Sequence, residues 1–313
     1  MAVGARPLVP SRLAPGGITA HERSRAPRTV VGAYIALTKP RIIELLLVTT
    51  LPTMVVAKGG WPGLALMAWT LAGGTLAAGG ANAINMYVDR DIDSLMPRTQ
   101  GRPLVTGLVA PRAALVFALT LEAAAFALLW STVNLLSAVL ALSATLFYVF
   151  VYTLWLKRSS TRNIVVGGAA GAVPVLVGWS AVRNSLGWAP LVLFATMFFW
   201  TPPHFWALAI RYADDYRAAG VPMLPAVAEP SVVSRRMLFH TVLLVVFSLL
   251  FWPVAHMGLV YGLSAVVLGA LFAAGVIDLG RDPTPKRSMR VFGFSITYVT
   301  LLFGAMVLDV FIR

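Results

Sequence analysis

The sequence predicts an all-α, polytopic membrane protein with nine transmembrane helices, and three observations point there. Of 313 residues, 58% are hydrophobic and 12% are charged, against roughly 25% charged in a soluble domain. Nine stretches (42–57, 62–88, 112–131, 134–156, 163–182, 188–209, 237–255, 257–279 and 291–311) approach the roughly 20 apolar residues a bilayer crossing needs. Finally, 22 of the 25 Lys and Arg residues fall on one side of the implied membrane. The formal net charge of +13 would suggest a nucleic-acid partner in a soluble chain; in so apolar a chain it reads as basic cytoplasmic edges, with no nucleic acid. The absence of cysteine excludes disulfides, thiolate nucleophiles, Cys-bound zinc and c-type haem attachment.

Residues 1–35 read as a disordered basic arm, rich in Arg, Pro, Ala and Gly, with Glu22 its one acid. The arm lacks the apolar core of a secretory signal. A mitochondrial transit peptide has a similar composition; the reading adopted is the cytoplasmic tail of a bacterial inner-membrane protein. Residues 36–313 then form the nine-helix domain. Tight joins at Lys58-Gly59-Gly60, Ser131–Asn134 and Trp252–Tyr261 make successive spans antiparallel neighbours. Basic residues cluster in the arm and in the loops after spans two, four, six and eight, whereas Lys58, Arg183 and Arg313 fall on the opposite side. The positive-inside rule therefore puts the N-terminus in the cytoplasm and the C-terminus outside.

Twelve acids are costly to place in such a chain, so their positions carry information. At the end of span two, Asn82, Asn85, Asp89 and Asp93 share about 80° of helix at roughly 100° per residue. Asp91 points away, and Pro97 should end the helix. Two carboxylates and two amides on successive turns suit Mg2+, which takes oxygen ligands and typically one or two protein carboxylates beside substrate phosphates. The alternative is a solvated helix end whose acids pair with Arg90 and Arg98, and Asp91 is assigned to it.

A second cluster follows span six. If the paired prolines Pro202 and Pro203 break the helix and a new one starts there, His204, Arg211 and Asp215 share a face, with Asp214 off it. Both clusters lie on the cytoplasmic side, where they could flank a diphosphate between two ions. Arg98, Arg102, Lys157, Arg158 and Arg162 are explained by topology singly; together they offer cations able to grip phosphate or carboxylate.

These residues carry a resemblance to the UbiA-type intramembrane prenyltransferases, and within them to the haem-farnesylating branch. Three strings carry it, within a recognisable similarity over residues 35–225: Asn82 through Leu104 with its Asn-Met-Tyr-Val-Asp-Arg-Asp-Ile-Asp core; Tyr152-Thr-Leu-Trp-Leu-Lys157-Arg158 followed by Asn163 to Pro174 and Gly178-Trp179; and Trp200-Thr-Pro-Pro-His204-Phe-Trp followed by Asp215 to Pro225. Two departures stand out. Met86 occupies the first Asp position of the superfamily motif, and the second acidic motif is reduced to Asp214-Asp215. The resemblance implies a UbiA-type bundle with a central cavity open to the cytoplasmic side. It implies farnesyl transfer from farnesyl diphosphate to a vinyl group of haem B, giving haem O, with Mg2+ as cofactor, the bilayer as surroundings and a downstream haem A synthase as partner. Asn85, Asp89, Asp93 and Asp215 would hold metal. Asp89, Asp93, Asp215, Lys157 and His204 would act in catalysis, and Asn82, Asn85, Arg98, Arg102, Arg158 and Arg211 would bind substrate. A quinone precursor or chlorin as acceptor is the rival within the superfamily. A secondary transporter is the rival outside it, and acids gathered at one membrane face without inverted symmetry count against that.

Overall fold

The computed structural model describes residue 27 and residues 29–313, side chains of 41–47 excepted. Most of the expected arm, 1–35, lies outside the described residues. Its last seven residues do not: Val30–Thr38 is a helix (α1), capped by Thr29, whose Oγ1 accepts from the Gly32 amide at 3.1 Å. The domain boundary expected at residue 36 thus falls inside a helix.

The long helices follow in order: α2 (Pro40–Lys58), α3 (Leu64–Asp93), α4 (Pro111–Thr132), α5 (Leu135–Ser159), α6 (Asn163–Arg183), α7 (Trp188–Arg211), α10 (Pro230–Val254), α11 (Leu259–Arg281) and α12 (Pro285–Ile312); the short α8 (Ala213–Ala218) and α9 (Leu224–Val227) lie between α7 and α10. Among the described residues, eight helices are long and apolar enough to cross a membrane. They match expected spans two to nine, while α2, covering the first, packs with them. Proline begins α2, α4, α10 and α12 at the first helical position, where its missing N–H costs nothing and its fixed φ suits the helix.

Sequential neighbours pack in a ring: α3 on α4, α4 on α5, α5 on α6, α6 on α7, α7 on α10, α10 on α11, α11 on α12, and α12 back on α2. The expected tight joins hold, through left-handed Gly59 (φ 68°), the Asn134 cap and left-handed His256 (φ 50°). Asn134 also donates to the Ser180 carbonyl at 2.8 Å, tying the α4–α5 turn to α6. Small residues allow close helix approach, as expected where apolar burial no longer drives association. A Cβ on Gly178 of α6 would meet the Thr50 carbonyl of α2 at 2.7 Å. The outward residues, such as Val116, Leu119, Leu263, Val267 and Leu271, are exposed aliphatics suited to lipid contact. The most buried of these eight helices is α7, where Trp200, His204 and Trp206 are all buried.

Two expectations fail here. The paired prolines do not break α7, which runs unbroken from Trp188 to Arg211. Each proline removes one backbone donor, to the Phe198 and Phe199 carbonyls. Buried Trp200 and Trp206 on either side hold the helix by packing. The basic residues of the later expected loops also sit on helix ends instead: Arg235 and Arg236 in α10; Lys286, Arg287 and Arg290 in α12.

Candidate functional site

Because α3 stays helical to Asp93, Asn85, Asp89 and Asp93 descend one face on successive turns. Asp89 is fully buried and Asp93 is 1% exposed. Each carboxylate is held on Oδ2 by a cation from elsewhere. Lys157 Nζ donates to Asp89, and Arg102 Nη1 donates to Asp93 at 2.5 Å. Oδ1 of each carboxylate is buried with no hydrogen-bond partner, although Arg158 Nη2 approaches Asp89 Oδ1 to 3.7 Å. A buried, unpaired carboxylate oxygen is costly. Two of them one turn apart make a donor set that fits a hard divalent cation with room for water and phosphate oxygens.

Asn85 completes the row. Its Nδ2 donates to Asp89 Oδ2 at 2.7 Å and to Thr153 Oγ1 at 3.2 Å, and its Oδ1 accepts from Lys39 Nζ at 2.8 Å. Thr153 sits there because residues Phe147–Leu156 of α5 adopt a π-helix, a form concentrated at functional sites. Its hydroxyl donates to the Tyr148 carbonyl, five residues back, at 2.9 Å. The same stretch stacks Tyr148 on Tyr152 with centroids 5.3 Å apart and ends at Lys157. Gly167 of α6 makes room for Tyr152: a Cβ there would meet Cδ2 of the ring at 2.3 Å. Lys39 and Thr153 were missed in the sequence: Thr153 lies within the second string without being singled out there, and Lys39 lies outside all three.

Tyr152 lies within electrostatic reach of Asp89, Arg98 and Tyr216, so it joins the two expected clusters. Arg98 is the clasp between them. Its guanidinium lies 5.6 Å from the Tyr212 ring centroid and 5.1 Å from that of Tyr216, and its Nε is 4.0 Å from Asp215 Oδ2.

The remaining expected residues are placed differently. The shared face of His204, Arg211 and Asp215 does not exist, because the helix stops at Tyr212 (φ −111°, ψ 24°) and Asp215 belongs to α8. His204 is sandwiched between Trp200 and Phe292, with centroids at 4.2 and 4.6 Å, and its Nδ1 meets Ser295 Oγ of α12 at 2.6 Å. No ion pair or hydrogen bond joins it to the acids among the described residues. Arg211 is exposed, with its guanidinium 5.8 Å from the centroid of the Tyr212 ring. Asp89, Asp93 and Asp215 do not come together as one ligand set: among the described residues no three His, Asp or Glu side chains lie close enough to hold an ion. Asn82 donates to the Thr38 carbonyl at 3.2 Å, fastening α1 to α3. Asp91 is exposed, as expected, but its partner is Arg158, at 2.6 and 2.7 Å, rather than Arg90 or Arg98.

Charge around the carboxylate pair is in cationic excess. With Arg158 engaged by Asp91, Lys39, Lys157 and Arg102 face Asp89 and Asp93. Burial first, then Arg102 and Lys157, hold the Lys39 ammonium pKa well below its ordinary value, while Asp89 and Asp93 oppose them. Such a site favours an anion.

Comparison with known proteins gives the family. A protein of Kineococcus radiotolerans described as "Protoheme IX farnesyltransferase" is 52% identical over 307 residues, covering 92% of this chain and 90% of its own. One of Frankia alni with the same description is 54% identical, covering 88% and 96%. Among solved structures, one described for digeranylgeranylglyceryl phosphate synthase superposes with a TM-score of 0.75 at 16% identity, covering 91% of this chain and 99% of its own. A UbiA homologue from Archaeoglobus fulgidus bound to GPP and Mg2+ superposes with a TM-score of 0.63 at 18% identity, covering 88% and 99%. These two show the shared fold. The sequence profile of the UbiA prenyltransferase family matches residues 46–302. On that match and on half-identical relatives along nearly its whole length, the chain belongs to the UbiA prenyltransferase family and groups there with the protohaem IX farnesyltransferases.

Proposed function

We propose that the chain transfers the farnesyl group of farnesyl diphosphate to a vinyl group of haem B, giving haem O. It does so as a nine-span membrane enzyme with its N-terminus in the cytoplasm, its C-terminus outside, and its central cavity open to the cytoplasmic side. Asn85, Asp89 and Asp93 hold Mg2+. The observation carrying this reading is the pair of buried Oδ1 atoms on Asp89 and Asp93, which have no hydrogen-bond partner among the described residues.

When bound, the magnesium ion supplies Lewis-acid stabilisation of the charge on the leaving oxygens. Lys157 and Arg102 present fixed positive charge beside the carboxylates, where the diphosphate takes up the electron pair of the breaking C–O bond. Arg98, set by Tyr212, Tyr216 and Asp215, reaches the same space from the other side. Tyr148 and Tyr152 offer π faces to the farnesyl cation, and the apolar bundle shields it from water. The vinyl π electrons form the new carbon–carbon bond. Water then adds to the resulting cation and loses a proton, giving the hydroxyethylfarnesyl side chain.

The test is incubation of purified protein in detergent with haem B, farnesyl diphosphate and Mg2+, with haem O followed by chromatography and mass spectrometry. Haem O and one diphosphate per turnover are expected, with loss of both in EDTA. Prenylation of an aromatic acid in place of haem would overturn the assignment.

A further inference from the structure

We propose that Lys39 is a further diphosphate-gripping cation, delivered to Asn85 by the left-handed turn between α1 and α2. This rests on the reading of the site as a prenyl diphosphate site, and it adds a residue from outside the matching motifs.

The turn is built with care. Lys39 has φ 52° and ψ 64°, a left-handed conformation that costs a residue with a Cβ of order 1 kcal/mol and persists only where its surroundings over-determine it. They do so here. Pro40 fixes the next residue, Asn82 binds the Thr38 carbonyl, and fully buried Ala33 and Leu37 pack α1 into one cluster with Ala83 and Met86 of α3. The result carries one ammonium 46 residues along the chain to Asn85 Oδ1, at 2.8 Å.

That partner is a neutral amide. Among the described residues Lys39 makes no ion pair within 4.0 Å, whereas Lys157 and Arg102 each have a carboxylate. A partly buried ammonium facing Arg102 and Lys157 without an anion of its own is an unfavourable arrangement unless an anion is its working partner. Asn85 Oδ1 is also the amide atom able to ligate a hard cation. Ammonium and metal repel at that one oxygen, so loading the site displaces Lys39. The incoming polyanion is then the only new negative charge within its reach. Lys39 thus serves as a ligand of the diphosphate.

Three purified proteins test this: the wild type, Lys39→Gly and Lys39→Arg. Glycine accepts the left-handed backbone without strain, so it removes the ammonium and keeps the turn. Inorganic pyrophosphate with Mg2+ is titrated calorimetrically into each. Lys39→Gly should weaken pyrophosphate binding roughly 10–100-fold, the range for a charged hydrogen bond. The KM for farnesyl diphosphate should rise in parallel, with that for haem B unchanged. Lys39→Arg should recover most of the affinity. If Lys39→Gly folds and binds pyrophosphate as the wild type does, the proposal is wrong and Lys39 is a turn residue. Should the glycine variant not fold, Lys39→Asn, which also tolerates the turn, takes its place with the same expectation. If the wild type itself binds no magnesium pyrophosphate, the diphosphate reading fails, and this inference with it.

Discussion

The two acidic helix ends of this protein began as equals in the sequence and are not equals in the structure. At the end of α3, the Asp89 and Asp93 side chains are 0% and 2% exposed; after α7, those of Asp215 and Asp214 are 24% and 97% exposed. The difference comes from helix continuity. Four-residue spacing on an unbroken helix stacks both α3 carboxylates on one inward face. The helix break at Tyr212 makes Asp214 and Asp215 adjacent residues of a six-residue helix, and adjacent positions cannot share a face. Among the described residues, the first cluster brings buried carboxylates onto one face and the second does not. The second contributes a partner for Arg98 and two tyrosine rings beneath it.

Asp89→Asn tests this difference most severely. It keeps the size and the hydrogen bond from Asn85 yet removes the charge opposing Lys157. Haem O formation should fall by at least about 10²–10³-fold in kcat, as when a transition-state electrostatic partner is lost. Excess Mg2+ should not restore it. Near-full turnover would mean that α3 is not the metal end.

Thr153→Val comes next, because it touches the metal row only through Asn85. Losing the hydroxyl removes the 3.2 Å contact to Asn85 Nδ2 and the bond to the Tyr148 carbonyl. Outer partners of metal ligands are worth about 10–100-fold in metal affinity. The Mg2+ concentration for half-maximal activity should rise by that factor, with kcat at saturating Mg2+ largely kept. An unchanged Mg2+ curve would show that the π-helix stretch shapes the bundle without tuning the site.

Arg98→Met should cost less, because Arg98 meets Asp215 at only 4.0 Å and rests on rings worth roughly 0.5–1 kcal/mol each. A rise of about tenfold in KM for farnesyl diphosphate is expected, with the Mg2+ curve unmoved. A shifted Mg2+ curve would put the second cluster on the metal after all.

The sequence shows much of the first end and little of the second, for reasons visible in single residues. Membrane spans are legible because lipid demands apolar length, and the α3 row is legible because spacing on a long helix survives folding. Pro202 and Pro203 mislead: sequence rules price the lost hydrogen bonds but not the packing of Trp200, Trp206 and His204 that holds α7 straight. Tyr212 ends that helix with neither Gly nor Pro to announce it. The π stretch at 147–156 and the left-handed Lys39 are tertiary outcomes, set by α6 and α3 pressing on them.

The smallest expected effect separates the two ends most cleanly. Asp214, the acid set off the expected face, has a side chain that is 97% exposed and pairs with Arg217, three residues on. Exposed ion pairs of this kind contribute little, about 0–1 kcal/mol. Arg217 also donates to the Ala226 carbonyl at 3.1 Å, so it stays anchored without Asp214. Asp214→Ala should therefore leave kcat, the KM for farnesyl diphosphate and the Mg2+ curve within about twofold of wild type, and move stability by less than about 0.5 kcal/mol. Asp215→Ala in parallel should raise the KM for farnesyl diphosphate as Arg98→Met does, and the double change should add nothing further, since both act through one contact. If Asp214→Ala instead removes activity, then α8 must turn inward when substrate binds, and the second acidic end regains the metal role that its present geometry denies it.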